Sequence, residues 1–388
     1  MIDFTFTEEQ ELFRQAAREF AETRVAPGIP EMEETGRVNN AVVKALGEAE
    51  MMAITIPEEY GGLGLGYVAR LIALEEVGRV SVATAMMLQV LALGIEPIVS
   101  FGSEEQKKKY LPGLATGERL ATVAVTEPTG GSDVKGGRTA YKKDGDAASS
   151  HVRSGYIING RKCFITNSHI ADTITVLAKD EENPDALSTF VIEGGMEGFK
   201  PGHREHKVGM RGCNTGELIF ENCRVPRENL LGKEGKGLGV ALSAIGGVGR
   251  GGMVGCALGL HTACLEAAVK FAQERILYGR PISKLQTIQN KLAEMKIDLE
   301  AGRLLAYRAA STQDQGQGRQ ASNEFAMAKH FTTEAAQKAA KMAVDIHGGY
   351  GCVEEYAVTR YWRDAAVLGP STGTSDIMKV IIARGVLS

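Results

Sequence analysis

Three stretches of this 388-residue chain combine residue types and spacing that could do chemistry. The first, at 363–384, reads RDAAVLGPSTGTSDIMKVIIAR. Its Gly-Pro-Ser-Thr-Gly-Thr-Ser turn runs into a helix opened by Ser375 and Asp376, both good N-cap types. Such a turn aims backbone N–H groups at whatever lies before it, which suits a phosphate or a polarised carbonyl oxygen. The second is TGGSD at 129–133, which stops the short β-branched run ATVAVTEP and whose glycines allow close backbone approach to a ligand. The third is a helical pattern at 238–277 crowded with glycine around Arg250. Each glycine weakens a helix by ~1 kcal/mol relative to Ala, so the pattern makes sense only where helices pack closely or a ligand lies on the backbone. Arg250 is either a ligand contact or a solvated helix-face charge.

The elements that must position these stretches fall into three blocks. In the first, Thr7 to Gln10 fits a capping box, apolar residues recur at helical spacing to Phe20, and Pro27 ends that helix. A second helix is predicted over 39–52, and two more over about 66–80 and 81–101. Ser103 to Gln106 caps another. The 81–97 stretch is apolar nearly all round, so it is buried on all sides or lines an apolar cavity; Glu96, beside Pro97, is the acid nearest Leu91. From about Leu120 the period changes to strand-like runs at 121–128, 156–159, 162–166, 173–178, 188–192 and 217–220. Asn159-Gly160 predicts a hairpin, and 142–150 a polar loop. From about Gly235 long helices return at 238–277, 283–312 and 322–345. The reading is an α+β protein: an N-terminal α-helical domain at 1–120, a middle antiparallel β domain at 121–232 and a C-terminal four-helix bundle at 233–388.

A hydrophobic fraction of 44% and a charged fraction of 24% are those of an ordinary globular protein. A net charge of −4 gives no electrostatic reason to expect nucleic acid. The six cysteines are scattered without a CxxC or a Cys/His cluster, so they read as reduced thiols, with no metal site. The acidic start MIDFTFTEEQ resembles no signal or transit peptide, and no uncharged run is long enough to span a bilayer. A soluble, cytoplasmic protein with no membrane partner is expected.

Eight stretches in register resemble the acyl-CoA dehydrogenase family of flavoproteins over essentially the whole chain. They are PEEYGG (57–62), FGSEEQKKKYLP (101–112), VTEPTGGSD (125–133), GRKCFITN (160–167), KVGMRGCNTGELIFENCRVP (207–226), ERILYGRPISKLQTIQNKLAEM (274–295), HGGYG (347–351) and RYWRD (360–364). The resemblance implies an α/β/α fold, non-covalent FAD, an acyl-CoA substrate, a homotetramer built as a dimer of dimers, and electron-transferring flavoprotein as partner. It places the flavin ring against Thr126 and Thr166, with the adjoining Ala124, Val125, Gly131 and Ile165, and Phe164 stacked where the family usually has Trp. The lesser alternative for both threonines is plain strand filler. Ser132 and Ser371 would face the acyl-pantetheine, Arg250 the CoA, and Gly373 N–H the thioester carbonyl. Polarising that carbonyl acidifies the α-carbon. Arg275, Tyr278 and Gln286 resemble positions that hold FAD across a dimer interface, Asp345, Ile346, His347, Gly348 and Gly349 the loop over its diphosphate, and Thr374 and Asp376 further cofactor contacts. Asp345 stands where the family usually has Gln.

One departure matters most. The family usually reads Tyr-Glu-Gly-Thr in the terminal turn, and that Glu takes the α-proton; here the turn is Ser371-Thr372-Gly373-Thr374. Thr372 is no base at neutral pH, and no His or Lys stands beside it in sequence. A second position used for the base in the family holds Gly249. The smaller residues suggest room for a ring or a branched acyl group, as in cyclohexane- or cyclohexene-carboxyl-CoA dehydrogenases. Glu96 is a candidate replacement base, or a solvated helix-end charge. Base-less elimination, enoyl-CoA reduction and a weakly active FAD- or CoA-binding partner subunit stay open. Thr84, where relatives acting on glutaryl-like thioesters carry Arg, disfavours an acidic acyl tail.

Overall fold

The computed structural model describes residues 5–144 and 155–387. Helices α1 (Glu8–Phe20), α2 (Ile29–Thr35), α3 (Asn40–Glu48), α4 (Gly66–Val80), α5 (Val82–Phe101) and α6 (Glu104–Thr116) come first. The capping boxes at Thr7 and Ser103 form as the sequence predicts. Pro27 does not end the helical path. The α1 ladder stops at Phe20, a π turn and a single 3-10 turn follow, and Pro27 sits early in that 3-10 turn, where a missing N–H costs little. The second helix is shorter than 39–52: Asn39 caps it by accepting from Val42 N–H at 3.0 Å, and Glu50 turns out of it at φ +55°.

The strands are β1 (Ala121–Ala124), β2 (Ala140–Asp144), β3 (Gly155–Thr166), β4 (Thr173–Asp180), β5 (Leu187–Glu193), β6 (Phe199–Arg204), β7 (Thr215–Pro226) and β8 (Leu230–Leu231). They form one mixed sheet, in the order β6-β7-β3-β2-β4-β5-β8 with β1 added to β4. β1 and β2 both pair with β4 in parallel; β1 covers Thr173 to Val176 and β2 covers Lys179 and Asp180. The two share successive parts of one strand edge, so the 125–139 loop leaves the sheet where β1 hands over to β2.

The predicted hairpin at Asn159-Gly160 is absent. β3 runs straight through, and the pair marks a β-bulge at which the register against β7 shifts. Gly160 adopts φ +150°, and a Cβ there would stand 2.5 Å from the Thr139 hydroxyl, so glycine is required by Thr139, just before β2, not by a turn. The predicted loop at 142–150 is strand β2 up to Asp144; positions 145–150 lie outside the described residues.

The predicted 238–277 helix is α7 (Gly237–Ala244), a π-helical turn over Ile245–Gly249, and α8 (Arg250–Glu274). A short hairpin of β9 (Ile276–Leu277) and β10 (Arg280–Pro281) leads to α9 (Gln286–Asp314) and α10 (Gly318–His347). α11 (Ala357–Leu368) packs on α8 and α10 to complete the bundle, and α12 (Ser375–Leu387) closes the chain. α5 and the α7–α8 stretch are long and apolar enough to cross a bilayer, but most of each is buried against other elements.

Asp364, fully buried on α11, accepts the Met210 N–H at 2.5 Å and so ties the 207–213 loop to the bundle. Burial pushes its carboxyl up to about 6 from 3.8, against that N–H and two arginines. The fold therefore holds this proton where the unfolded chain has released it. The group's contribution to stability is complete below pH 3.8 and is lost as pH rises through about 6. The shift is worth about 3 kcal/mol. Asp364→Asn should then raise the melting temperature relative to the parent more at pH 7.5 than at pH 4; an equal difference at both would refute this account.

Candidate active site

The loop after β1 is held by a buried ion pair. Glu127 and Gly130 exchange backbone hydrogen bonds (3.3 and 2.9 Å), which makes a tight turn before Gly131 and Ser132. The Glu127 carboxylate accepts from the N–H groups of Arg138 and Thr139 and from the Lys162 ammonium at 2.7 Å. Both side chains are at most 4% exposed. Lys162 also donates to the Val125 carbonyl at 3.1 Å. Burial works against the Glu127 carboxylate, but Lys162 and the two N–H donors outweigh it and keep its pKa below the usual range.

Thr126 O accepts from Cys163 N–H (3.0 Å), and the Thr122 hydroxyl donates to Thr166 O (2.6 Å). These bonds lay 122–126 alongside 163–166, so the predicted Thr126 and Thr166 share one region, both half-buried. Between them Phe164 sits in a register shift at φ +54° with 64% of its surface exposed. A bulky residue held left-handed at a bulge, with its ring in the open, is the kind of strain that persists at binding sites. Ala124 and Ile165 belong to the sheet core, so only their backbone could meet a ligand there. Val125 packs against a small cluster around Leu177 and Ala241, while Gly131 and Ser132 are exposed.

The terminal turn meets α5 and the π turn at one point. Thr372 and Gly373 take φ +52° and +96°. The Thr372 methyl faces Gly249: a Cβ at 249 would lie 2.7 Å from it and 3.4 Å from Leu93 Cδ1. Neither 249 nor 372 carries a carboxylate. The Gln89 amide donates to Gly249 O at 2.9 Å and the Arg70 guanidinium to Val248 O at 3.1 Å, so two buried side chains satisfy the carbonyls of the π turn. Lys329, distant in sequence, reaches the terminal turn as well. Ser371 donates its hydroxyl back to Val367 O at 2.7 Å. The cap of α12 is Thr374, whose hydroxyl accepts from Ile377 N–H; Ser375 is the first helical residue and pairs with Glu334. Asp376 is exposed and paired with Lys379, so neither predicted cap residue acts as the cap.

Glu96 is no solvated helix-end charge. It shares an α5 face with Gln89 and Leu93, seven and three residues back. It accepts from Ser100 (2.5 Å) and Tyr67 (3.4 Å), and burial raises its pKa despite these donors and Arg70. Arg250 is likewise not solvated: it is buried, donates to Ser322 O and its hydroxyl (3.1 and 3.0 Å), and pairs with no carboxylate among the described residues. Burial lowers its pKa.

A separate cavity of about 800 Å³ gathers Arg275, Asp345, Ile346, His347, Gly348 and Gly349. A Cβ at Gly348 or Gly349 would meet nothing within 4 Å, so their backbone is open to a ligand, and Gly348 is left-handed at φ +59°. Asp345 is bonded by Lys341 (2.6 Å) and Lys291 (3.2 Å), which hold its carboxyl below the usual range. Two lysines thus neutralise the acid that replaces Gln, and an anion can approach it. Tyr278, 89% exposed on the β9–β10 hairpin, and Gln286, exposed at the start of α9, lie outside this cavity. The open glycine backbone beside Arg275 fits a diphosphate, and the exposed Phe164 between two threonines fits a flat ring, so the residues present fit FAD. Among the described residues no cluster of His, Cys, Asp and Glu could hold a metal.

Sequence reasoning missed Glu127, Lys162, Gln89, Arg70 and Lys329. The first two lie inside recognised stretches, where a charge between strand residues was the available signal.

Compared with known proteins, residues 7–118, 122–223 and 235–387 match the models of the acyl-CoA dehydrogenase N-terminal, middle and C-terminal domains. The chain is 42% identical over 386 residues to an acyl-CoA dehydrogenase of Bacillus subtilis, covering 98% of both. It is 38% identical over 385 residues to a 3-(aryl)acrylate reductase of Clostridium sporogenes, covering 98% of this chain and 99% of that one. Its fold matches butyryl-CoA dehydrogenase from Megasphaera elsdenii with a TM-score of 0.95 at 34% identity, over the whole of both chains.

Removing one member of the Glu127–Lys162 pair leaves an uncompensated buried charge, which typically costs 3–5 kcal/mol. Lys162→Met should lower the melting temperature and the FAD content of the purified protein together, whereas pairing it with Glu127→Leu should recover part of the stability but not the FAD. Absorbance at 450 nm per protein and thermal melts check both.

Proposed function

The chain belongs to the acyl-CoA dehydrogenase family, and from that premise we propose that it oxidises or reduces the CH–CH bond of a bulky, alicyclic or aryl-bearing CoA thioester with a relocated proton-transfer group. The enzyme acts on CoA thioesters, and its cofactor is FAD. When bound, FAD supplies hydride acceptance or donation at the β-carbon. The chain's own residues must bind the thioester, orient it and move the α-proton.

The observation that carries the proposal is the meeting of Thr372, Gly249 and Leu93, two short residues and no acid where a carboxylate would be needed. Gly373 N–H is the donor for the thioester carbonyl, and Glu96 is the proton-transfer group. A half-buried carboxyl with a raised pKa suits either direction, because it lies nearer the pH at which it must give or take a proton. The likeness to a 3-(aryl)acrylate reductase favours reduction as a second reading, in which Glu96 delivers the α-proton to an unsaturated ester. Thr126, Thr166 and Phe164 share no lining residue with the Arg275 cavity. We therefore propose that one FAD spans two copies of the chain, in a cytoplasmic homotetramer built as a dimer of dimers that exchanges electrons with an electron-transferring flavoprotein.

Anaerobic titration of the yellow protein with linear, branched, cyclohexyl and cyclohexenyl CoA esters tests this. Bleaching of the flavin by cyclic esters alone is expected for oxidation, and reoxidation of the reduced protein by an enoyl or aryl-acrylyl ester for reduction; bleaching by linear esters alone would refute the pocket assignment. Glu96→Gln should cut turnover by about 10²–10⁴-fold with FAD retained, and unchanged turnover would remove Glu96 from the mechanism. Thr372→Glu should confer ordinary α,β-dehydrogenation of a saturated ester that fits.

A further inference from the structure

Lys329 sits mid-way along α10 with no exposed surface, on a helix whose other buried residues there are mostly alanine. Its ammonium donates to the carbonyls of Gly369 and Gly373, both at 2.7 Å. No carboxylate among the described residues lies within ion-pair distance of it. Burial pushes the ammonium down to about 8, with Glu334 opposing the shift and Arg250, on α8, adding to it. A buried charge without a counter-ion persists only where its hydrogen bonds are good and other groups depend on them.

The two acceptors show what depends on this one. Gly369 caps the C-terminal end of α11, where unpaired carbonyls and the helix dipole favour a cation. Gly373 follows Thr372, a β-branched residue held at φ +52°. Such a conformation costs about 1–3 kcal/mol and survives only where its surroundings over-determine it. Both ends of the 369–373 turn are drawn onto one nitrogen. Between them Thr372 is pressed against Gly249.

We propose that Lys329 is a positioning residue of the thioester site: it staples the 369–373 turn across its base and so fixes the direction of the Gly373 N–H and the placement of Thr372. The proposal rests on the reading that Gly373 N–H polarises the thioester carbonyl. The ammonium acts from behind the turn and touches neither the acyl group nor the flavin in this assignment.

The test uses the FAD-loaded protein with Lys329→Met, similar in length and uncharged, and Lys329→Ala. Hydrogen–deuterium exchange at neutral pD should rise at least about tenfold in 369–376 in both variants, with α8, β3 and flavin content unchanged. Loss of an aligned oxyanion donor costs about 10²–10³ in kcat, so kcat for the ester that bleaches the parent should fall by that order, while KM rises by a much smaller factor. Ethylammonium should restore part of both effects in Lys329→Ala and none in Lys329→Met. Should Lys329→Met lose its flavin, Lys329→Leu, which likewise lacks a donor, carries the same comparison. Parent-like exchange across 369–376 would overturn the staple, and raised exchange with unchanged kcat and KM would overturn its role in positioning. The exchange measurement needs no substrate, so it decides the staple even if no CoA ester reacts with the parent.

Discussion

The structure depends on how closely α8 can lie against α4 and α5. A Cβ at Gly252 would stand 2.0 Å from Gln89 Cγ, one at Gly255 2.6 Å from Leu74 Cβ, and one at Gly259 2.5 Å from the Glu75 carbonyl. No side chain fits at these positions without moving a helix. Each glycine weakens α8 by about 1 kcal/mol relative to Ala, and the burial of nearly the whole helix offsets that. Close approach is what lets Gln89 reach Gly249 O and Arg70 reach Val248 O, since neither side chain could span a helix pair at ordinary separation. Those two bonds in turn satisfy the π turn, and the π turn carries Gly249 to the terminal turn.

Buried cations then do the local holding. Loops that cross the interior bring carbonyl groups that must find donors, and Lys and Arg offer several N–H groups from one position. Lys162 has Glu127 as its counter-ion and secures the loop after β1. Lys329, Arg70 and Arg250 have no carboxylate partner among the described residues, and all three bond main-chain carbonyls of elements that converge around Gly249. An excess of positive charge in a water-poor region stabilises an anion more than it would in water. A thioester whose α-proton is leaving, or whose β-carbon is receiving hydride, passes through enolate-like charge.

Much of this was readable from local pattern. The caps at Thr7 and Ser103, the all-round apolar α5 and the glycine-rich α8 each follow from one short stretch. What was not readable depends on partners far along the chain. Asn159-Gly160 has the composition of a hairpin turn, and only Thr139, just before β2, reveals why glycine is needed there. The cap of α12 moved from Ser375 to Thr374 because Ser375 is engaged by Glu334 from α10. β6, mostly exposed or half-buried, lacks the alternation that marks a strand. Lys329 stands forty-four residues before Gly373, and no spacing rule links them.

Thr372 and Gly249 belong to different helices' ends, yet their atoms meet. A carboxylate on either one would therefore reach much the same volume. Here both sites are short, and Leu93 of α5 stands beside them, on the same helix face as Gln89 and Glu96. Gln89 spends its amide on Gly249 O, although its own carbonyl oxygen has no partner. Leu93 is apolar. Glu96 is the member of that row that can exchange a proton, and burial has moved its pKa in the direction such exchange requires.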